Sequence, residues 1–286
     1  MPVMRLLIIG GSGFLGGELT RRAVAAGHET SATRTTRPPD TRRGVPAEVS
    51  WHALDLRDPA GLTEVLARAA PSVVVNVSSG GPDWAVTAEG GVRVARAVAG
   101  RGCRLVHVSS DAVFSGDRGP YDETCPPDPV TPYGAAKAAA ETGVRLLVPD
   151  AAVVRTSLII GDGNALSVHE RHVHDLVAGA RDGVLFTDVV RCPVQVADLA
   201  DALLELAASK AVGVRHVAGP EALTRHELGV LVARRDGLDP TRLPAGRQVD
   251  GARRGALDVR LDSRVTRRGL RTRLRGAREF LAEPRG

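Results

Sequence analysis

The chain has 286 residues, 43% of them hydrophobic and 25% charged, with a formal net charge of +5. That length buries a core without disulfide staples, and no apolar run nears the roughly 20 residues of a membrane span. Cys103, Cys125 and Cys192 form neither a CxxC pair nor a metal spacing, and the expected metal content is none. The basic excess lies mostly in "RVTRRGLRTRLRGAREF" (264–280), which has one aromatic, Phe280. It reads as a solvated face, so no nucleic-acid partner is expected.

"VMRLLIIG" (3–10) reads as a buried strand and "FLGGELTRRAVAAG" (14–27) as a helix ending at Gly27. Glycines break the first apolar run where a signal peptide would continue, so a cytoplasmic protein is expected. "HETSATRT" (28–35) and "VSWHALD" (49–55) read as strands, and "PAGLTEVLARAA" (59–70) as a helix. "SVVVNVSS" (72–79) is a fourth strand, and 85–102 a helix with a weak middle at Gly90 and Gly91. "CRLVHVSS" (103–110), a helix over 132–148 and a strand over 151–161 follow.

Strand–helix alternation with continuous apolar strands implies an α/β fold, a doubly wound parallel sheet of the Rossmann kind. Ligands then sit beyond the C-terminal strand ends. After about residue 160 the alternation weakens. Residues 1–160 are expected to be the dinucleotide-binding domain. Residues 161–286 are expected to be mainly a substrate lobe, with segments around 194–218 returning to the sheet. In that lobe 198–209 and 224–238 read as helices, the second with Thr224 as N-cap and Glu227 three positions on.

"GGSGFLGG" follows the first strand and fits two templates, Gly11-x-Gly13-x-x-Gly16 and Gly10-x-x-Gly13-x-x-Gly16. Either brings backbone amides and a helix N-terminus to a pyrophosphate. The second strand ends Thr33-Arg34, with no carboxylate before Asp40. An acid there would hold the ribose hydroxyls of NADH, whereas Arg34 suits a 2′-phosphate. NADPH is expected rather than NADH.

Only two tyrosines and two lysines occur, yet Tyr133 and Lys137 stand four apart just after Pro132, where Thr131-Pro132 reads as a helix start. Chance gives such a pair roughly 1% of the time. One helix turn apart, an ammonium stabilises a phenolate and makes the phenol a usable proton donor near neutral pH. Ser110, at the tip of the fifth strand, is the candidate to bond a substrate carbonyl, while Ser109 faces the cofactor. "NALSVHERHVHD" (164–175) crowds three histidines, and Asn164, Arg171 or Arg191 could meet an anionic substrate group.

These residues resemble the extended short-chain dehydrogenase/reductase superfamily, and within it the dTDP-4-dehydrorhamnose reductase branch. The carriers include "GGSGFLGG", "VHVSSDAVFSG", "PYDETCPPDPVTPYGAAKAAAE", "VVRTSLIIG" and "CPVQVADLADALLELA". The resemblance implies hydride transfer to a ketone, with a sugar-like or nucleotide-linked 4-keto sugar as substrate. Tyr133 would be the acid, Lys137 its partner and Ser110 the carbonyl ligand. Gly10, Gly13, Phe14, Leu15, Gly16, Thr33, Arg34, Asp55, Leu56, Val77, Ser78, Ser109, Tyr133, Lys137 and Thr156 would line the cofactor. Ser79, Asp111, Ser157, Asn164 and Arg191 would meet the substrate. A homodimer is compatible with this, and no membrane is involved.

Departures fall on the substrate side. Val77-Ser78-Ser79-Gly80-Gly81-Pro82 replaces the usual Ala-Ala, Thr87 stands where an Asn is expected, and Leu158 replaces an aromatic. A related ketone is as good a candidate as the rhamnose precursor. Two rival readings are an epimerase or dehydratase holding NAD, of which Ala112 after Asp111 disfavours the dehydratase, and a non-catalytic regulatory subunit.

Overall fold

The computed structural model describes residues 3–35, 48–163, 165–251 and 255–282. Two compact units emerge, each built from several chain segments. The first takes residues up to Ser110, Pro132–Arg155 and Ala200–Arg215; the second takes Asp111–Thr131, Thr156–Leu199 and His216 onward. The chain passes between units several times, and the stretch expected to return to the sheet, around 194–218, overlaps the Ala200–Arg215 segment of the first unit.

The first unit holds a seven-stranded sheet. In chain order its strands are β1 (Arg5–Ile9), β2 (Glu29–Arg34), β3 (Ser50–Ala53), β4 (Val73–Asn76), β5 (Arg104–Ser110), β6 (Ala152–Thr156) and, much later, β11 (Gly213–His216). Their spatial order is β11-β6-β5-β4-β1-β2-β3. β1 pairs in parallel with β2 and β4, β2 with β3, and β4 with β5. This is the doubly wound α/β sheet expected, and the order reverses between β1 and β4. Leu7, Ile9, Val74, Leu105 and Val153 pack on α2 (Pro59–Ala69), α3 (Gly90–Val98) and α4 (Pro132–Leu147) through Leu62, Val94 and Val144. The other helix after β1 is α1 (Phe14–Ala25).

The predicted single helix over 85–102 is two pieces. Ala85–Glu89 forms a π-turn, and α3 follows from Gly90. Gly91 is a packing position: a Cβ there would come within 3.0 Å of both Ala140 and His107. The predicted sixth strand also divides, into β6 and β7 (Ile159–Ile160).

The second unit has three two-stranded ribbons: β7 with β10 (Val194–Gln195), β9 (Val190–Arg191) with β12 (Leu223–Thr224), and β8 (Leu185–Phe186) with β13 (Ala245–Gly246). Its core joins α5 (Val168–Ala178), α7 (Arg225–Arg235) and α9 (Ala277–Phe280) through Val173, Leu176, Leu228, Val232 and Phe280. The remaining helices are α6 (Val196–Ala208) and α8 (Arg264–Gly269). Among the described residues no helix is long and apolar enough to cross a membrane.

Candidate active site

The glycine turn takes the Gly10-x-x-Gly13-x-x-Gly16 form. Gly10 has φ +90°, a left-handed conformation that favours glycine. A Cβ on Gly16 would lie 2.1 Å from the Gly10 carbonyl oxygen. The Gly10 amide donates to the Thr33 hydroxyl at 3.0 Å, so Thr33 acts on the turn itself. Gly13 is the N-cap of α1 and no side chain caps that end. An anion at this helix N-terminus would meet backbone amides and the positive end of the helix dipole.

Beside this turn lies a cavity of about 470 Å³, whose lining includes Gly10, Gly13, Phe14, Thr33, Arg34, Asp55, Leu56, Val77, Ser78 and Ser79. Nine of the expected cofactor residues thus converge on one space, and Ser79, expected on the substrate side, joins them. Leu15 and Gly16 are buried behind it and shape the turn. Arg34 is half-buried at the end of β2, and Arg57, also in the lining, pairs with Asp55 and Asp83. Burial space, bare backbone and a cation on the second strand fit a dinucleotide with a charged adenosine end.

Tyr133 and Lys137 lie in the first turns of α4. Tyr133 is half-buried, while Lys137 is 3% exposed. The Lys137 ammonium donates to the Val108 carbonyl at 3.0 Å and the Ser78 carbonyl at 3.4 Å. Burial pulls its pKa down to about 8, with Glu141 acting in the opposite sense. Ser110 ends β5 half-buried; Ser109 beside it is buried, and its hydroxyl has no hydrogen-bond partner among the described residues.

Beneath Lys137 runs a buried polar chain that sequence reasoning missed. Asn76 and His107 are register partners on β4 and β5. The Asn76 Oδ1 accepts from the Ser78 amide at 3.1 Å and hydroxyl at 2.6 Å. That fixes its Nδ2 as the donor to His107 Nδ1, 3.2 Å away. His107 is neutral, its pKa pulled down to about 3 by burial and by the charge on Lys137. Asn76 folds the end of β4 so that Ser78 presents its carbonyl to Lys137. The sign in the sequence is a polar residue at an inward position of a strand.

In the second unit Asp111 and Ser157 meet directly: the Ser157 hydroxyl donates to the Asp111 carboxylate at 2.6 Å. Arg191 stands 3.7 Å from the same carboxylate, but its Nη atoms bond the carbonyls of Val190, Leu257 and Ala256. Arg225, which sequence reasoning did not single out, is half-buried near this cluster. Burial and the neighbouring Arg191 pull its pKa down to about 10. Arg225 donates to His169 Nδ1 at 3.3 Å. His174 bonds Asp236, so two of the three crowded histidines are engaged in the lobe's own contacts. Arg171 is exposed and bonds the Leu166 carbonyl. Thr156 is buried, with a hydroxyl lacking a partner among the described residues. Asn164 lies outside the described residues.

Thr87, where an Asn is expected, clamps the unusual loop after β4. Its hydroxyl accepts from the Gly80 amide at 3.0 Å and donates to the Gly81 carbonyl at 2.8 Å.

Residues 4–282 match the family described as RmlD substrate binding domain. The chain belongs to that family. It is 33% identical over 258 residues to a dTDP-4-dehydrorhamnose reductase of Mycobacterium tuberculosis, covering 84% of this chain and 78% of the relative. A probable dTDP-4,6-dihydroxy-2-methyloxan-3-one 4-ketoreductase of Streptomyces antibioticus is 31% identical, covering 84% and 80%. Among solved structures, a hypothetical dTDP-4-dehydrorhamnose reductase of Sulfolobus tokodaii superposes with a TM-score of 0.79 at 28% identity, covering 94% and 96%. A Thermus thermophilus UDP-glucose 4-epimerase in complex with NAD gives 0.81 at 22% identity, covering 97% of each chain, and shares the fold.

This RmlD-family chain is therefore an oxidoreductase of the extended short-chain dehydrogenase/reductase type. Fold similarity does not separate reductase from epimerase, since both superpose equally well. The sequence relatives named here are reductases.

Proposed function

We propose that the protein is an NADPH-dependent reductase acting on a ketone of a nucleotide-linked 4-keto sugar. The observation that carries this is Lys137, a buried ammonium resting on two carbonyls one turn from Tyr133, in the unit that holds the glycine-turn cavity. The dTDP-4-dehydrorhamnose reductase of Bacillus anthracis was solved in complex with NADP, which supports the cofactor assignment.

NADPH, when bound, supplies the hydride. The remaining work falls to side chains. Gly10, Gly13 and the N-terminus of α1 would take the pyrophosphate, and Arg34 the 2′-phosphate. Ser110 donates a hydrogen bond to the substrate carbonyl, which polarises it. As negative charge develops on that oxygen, the Tyr133 hydroxyl gives up its proton. Lys137 stabilises the phenolate left behind; two of its three N–H groups are committed to carbonyls. In this reading the first unit is the cofactor domain.

A panel of dTDP- and UDP-linked 4-keto-6-deoxy sugars, incubated with protein and NADPH, tests this. The expected result is stoichiometric NADPH consumption with a new secondary alcohol at C4 of at least one of them. No turnover with any, together with NAD retained through purification, would favour an epimerase.

A further inference from the structure

The face of α4 that carries Tyr133 and Lys137 continues, one turn on, to Glu141. These three residues stand at i, i+4 and i+8. Glu141 is 1% exposed, and its ion-pair partner among the described residues is Arg155 on β6, also 1% exposed. The pair is forked: Arg155 Nε lies 3.0 and 3.2 Å from the two carboxylate oxygens, and Nη2 lies 2.8 Å from one. A buried ion pair is a poor source of stability, because two charges must leave water. Its place directly behind the lysine suggests an electrostatic role.

Lys137 makes no ion pair of its own among the described residues; its partners are neutral carbonyls. The groups facing it can be named element by element. From β5 comes His107, which is neutral. β4 contributes Asn76, an uncharged amide. The π-turn and α3 carry Glu89, Arg93 and Arg96, of which Glu89 and Arg96 are exposed and Arg93 pairs with Glu89. On α4 itself are Tyr133 and Glu141, with Arg155 of β6 behind. Glu141 is thus the buried negative charge on that side.

We propose that Glu141, held in place by Arg155, is a positioning residue that keeps Lys137 an ammonium in the neutral pH range. Arg155 holds the carboxylate, the carboxylate holds the charge on Lys137, and Lys137 serves Tyr133. The proposal deepens the assignment of Tyr133 and Lys137 as the proton-donating pair, but its test needs no substrate.

The chain has only two lysines, Lys137 and the exposed Lys210. Protein labelled with ¹³C at the lysine ε-carbon gives two titrating signals, and Lys210→Arg identifies which belongs to Lys137. In wild type the Lys137 signal should titrate near about 8. In Glu141→Gln, which keeps an acceptor for Arg155 but removes the charge, the midpoint should drop by about one pH unit or more. Should that variant not fold, the double variant Glu141→Gln/Arg155→Met removes both charges, and the midpoint should still drop, by less. An unchanged or raised midpoint in the folded variant overturns the proposal. Loss of turnover in Tyr133→Phe bears on the proton-donor assignment alone, so the two failures are distinguishable.

Discussion

Lys137 shows what a single residue reveals in sequence and what it withholds. Its rarity and its spacing from Tyr133 are visible in the letters. Its support is not: Asn76, His107, Glu141 and Arg155 are common residue types, and only the strand register and the α4 face bring them beneath the ammonium. Arg34 was legible for the opposite reason, since what matters there is a missing carboxylate. Removing its guanidinium takes away a charge-assisted contact of about 1.5–3 kcal/mol. Arg34→Ala should therefore raise KM for NADPH at least about tenfold and leave KM for NADH nearly unchanged, as steady-state kinetics with each cofactor will show. Better use of NADH by the wild type would contradict the assignment.

At the scale of elements, helix starts divide into the seen and the unseen. Thr224 and Glu227 form the expected capping box at α7. The same spacing at Ser167 and Glu170 opens α5 but is hidden in a histidine-crowded stretch. Glu170 does more than cap. Fully buried, it accepts from the Gly161 amide at 2.9 Å, the Ser167 amide at 2.7 Å and Arg235 of α7 at 2.7 Å. Arg235 also holds the Gly161 carbonyl and Asp236. One carboxylate thus closes the segment between β7 and α5 and ties it to α7. Glu170→Ala would leave two buried amides without their acceptor and Arg235 with Asp236 as its counter-charge, costing about 2–4 kcal/mol, whereas Thr224→Ala should cost about 1 kcal/mol. Urea unfolding of both variants checks the contrast; equal losses would argue against the clamp. Strand ends were read less well than helix starts, because an apolar run such as 151–161 carries no mark where β6 stops and β7 begins.

Across the whole molecule, the doubly wound sheet was readable because its strands are short apolar runs separated by helical periodicity. The segmented make-up of the second unit was not, since its ribbons of two-residue strands leave no periodic trace. One global property follows from His107. Its folded pKa is about 3, against about 6.5 in an unfolded chain. Above pH 6.5 neither state binds the proton. Between about 6.5 and 3 only the unfolded chain does, so stability falls as pH falls, by up to about 1.4 kcal/mol per pH unit from this group. Unfolding free energies between pH 7 and 5 should show at least that slope, since burial lowers His169 to about 3 as well, and His107→Gln should reduce it by about the His107 share. A variant with the wild-type slope would place the acid sensitivity elsewhere.

The claim that Tyr133 delivers the proton is tested most directly by comparing wild type with Tyr133→Phe in NADPH oxidation on whichever 4-keto sugar nucleotide the wild type reduces. The substitution removes one hydroxyl from a half-buried ring and should leave NADPH binding intact. The expected result is a kcat lower by about 10²–10⁴-fold with little change in cofactor affinity. Turnover at the wild-type rate in Tyr133→Phe would contradict the mechanism.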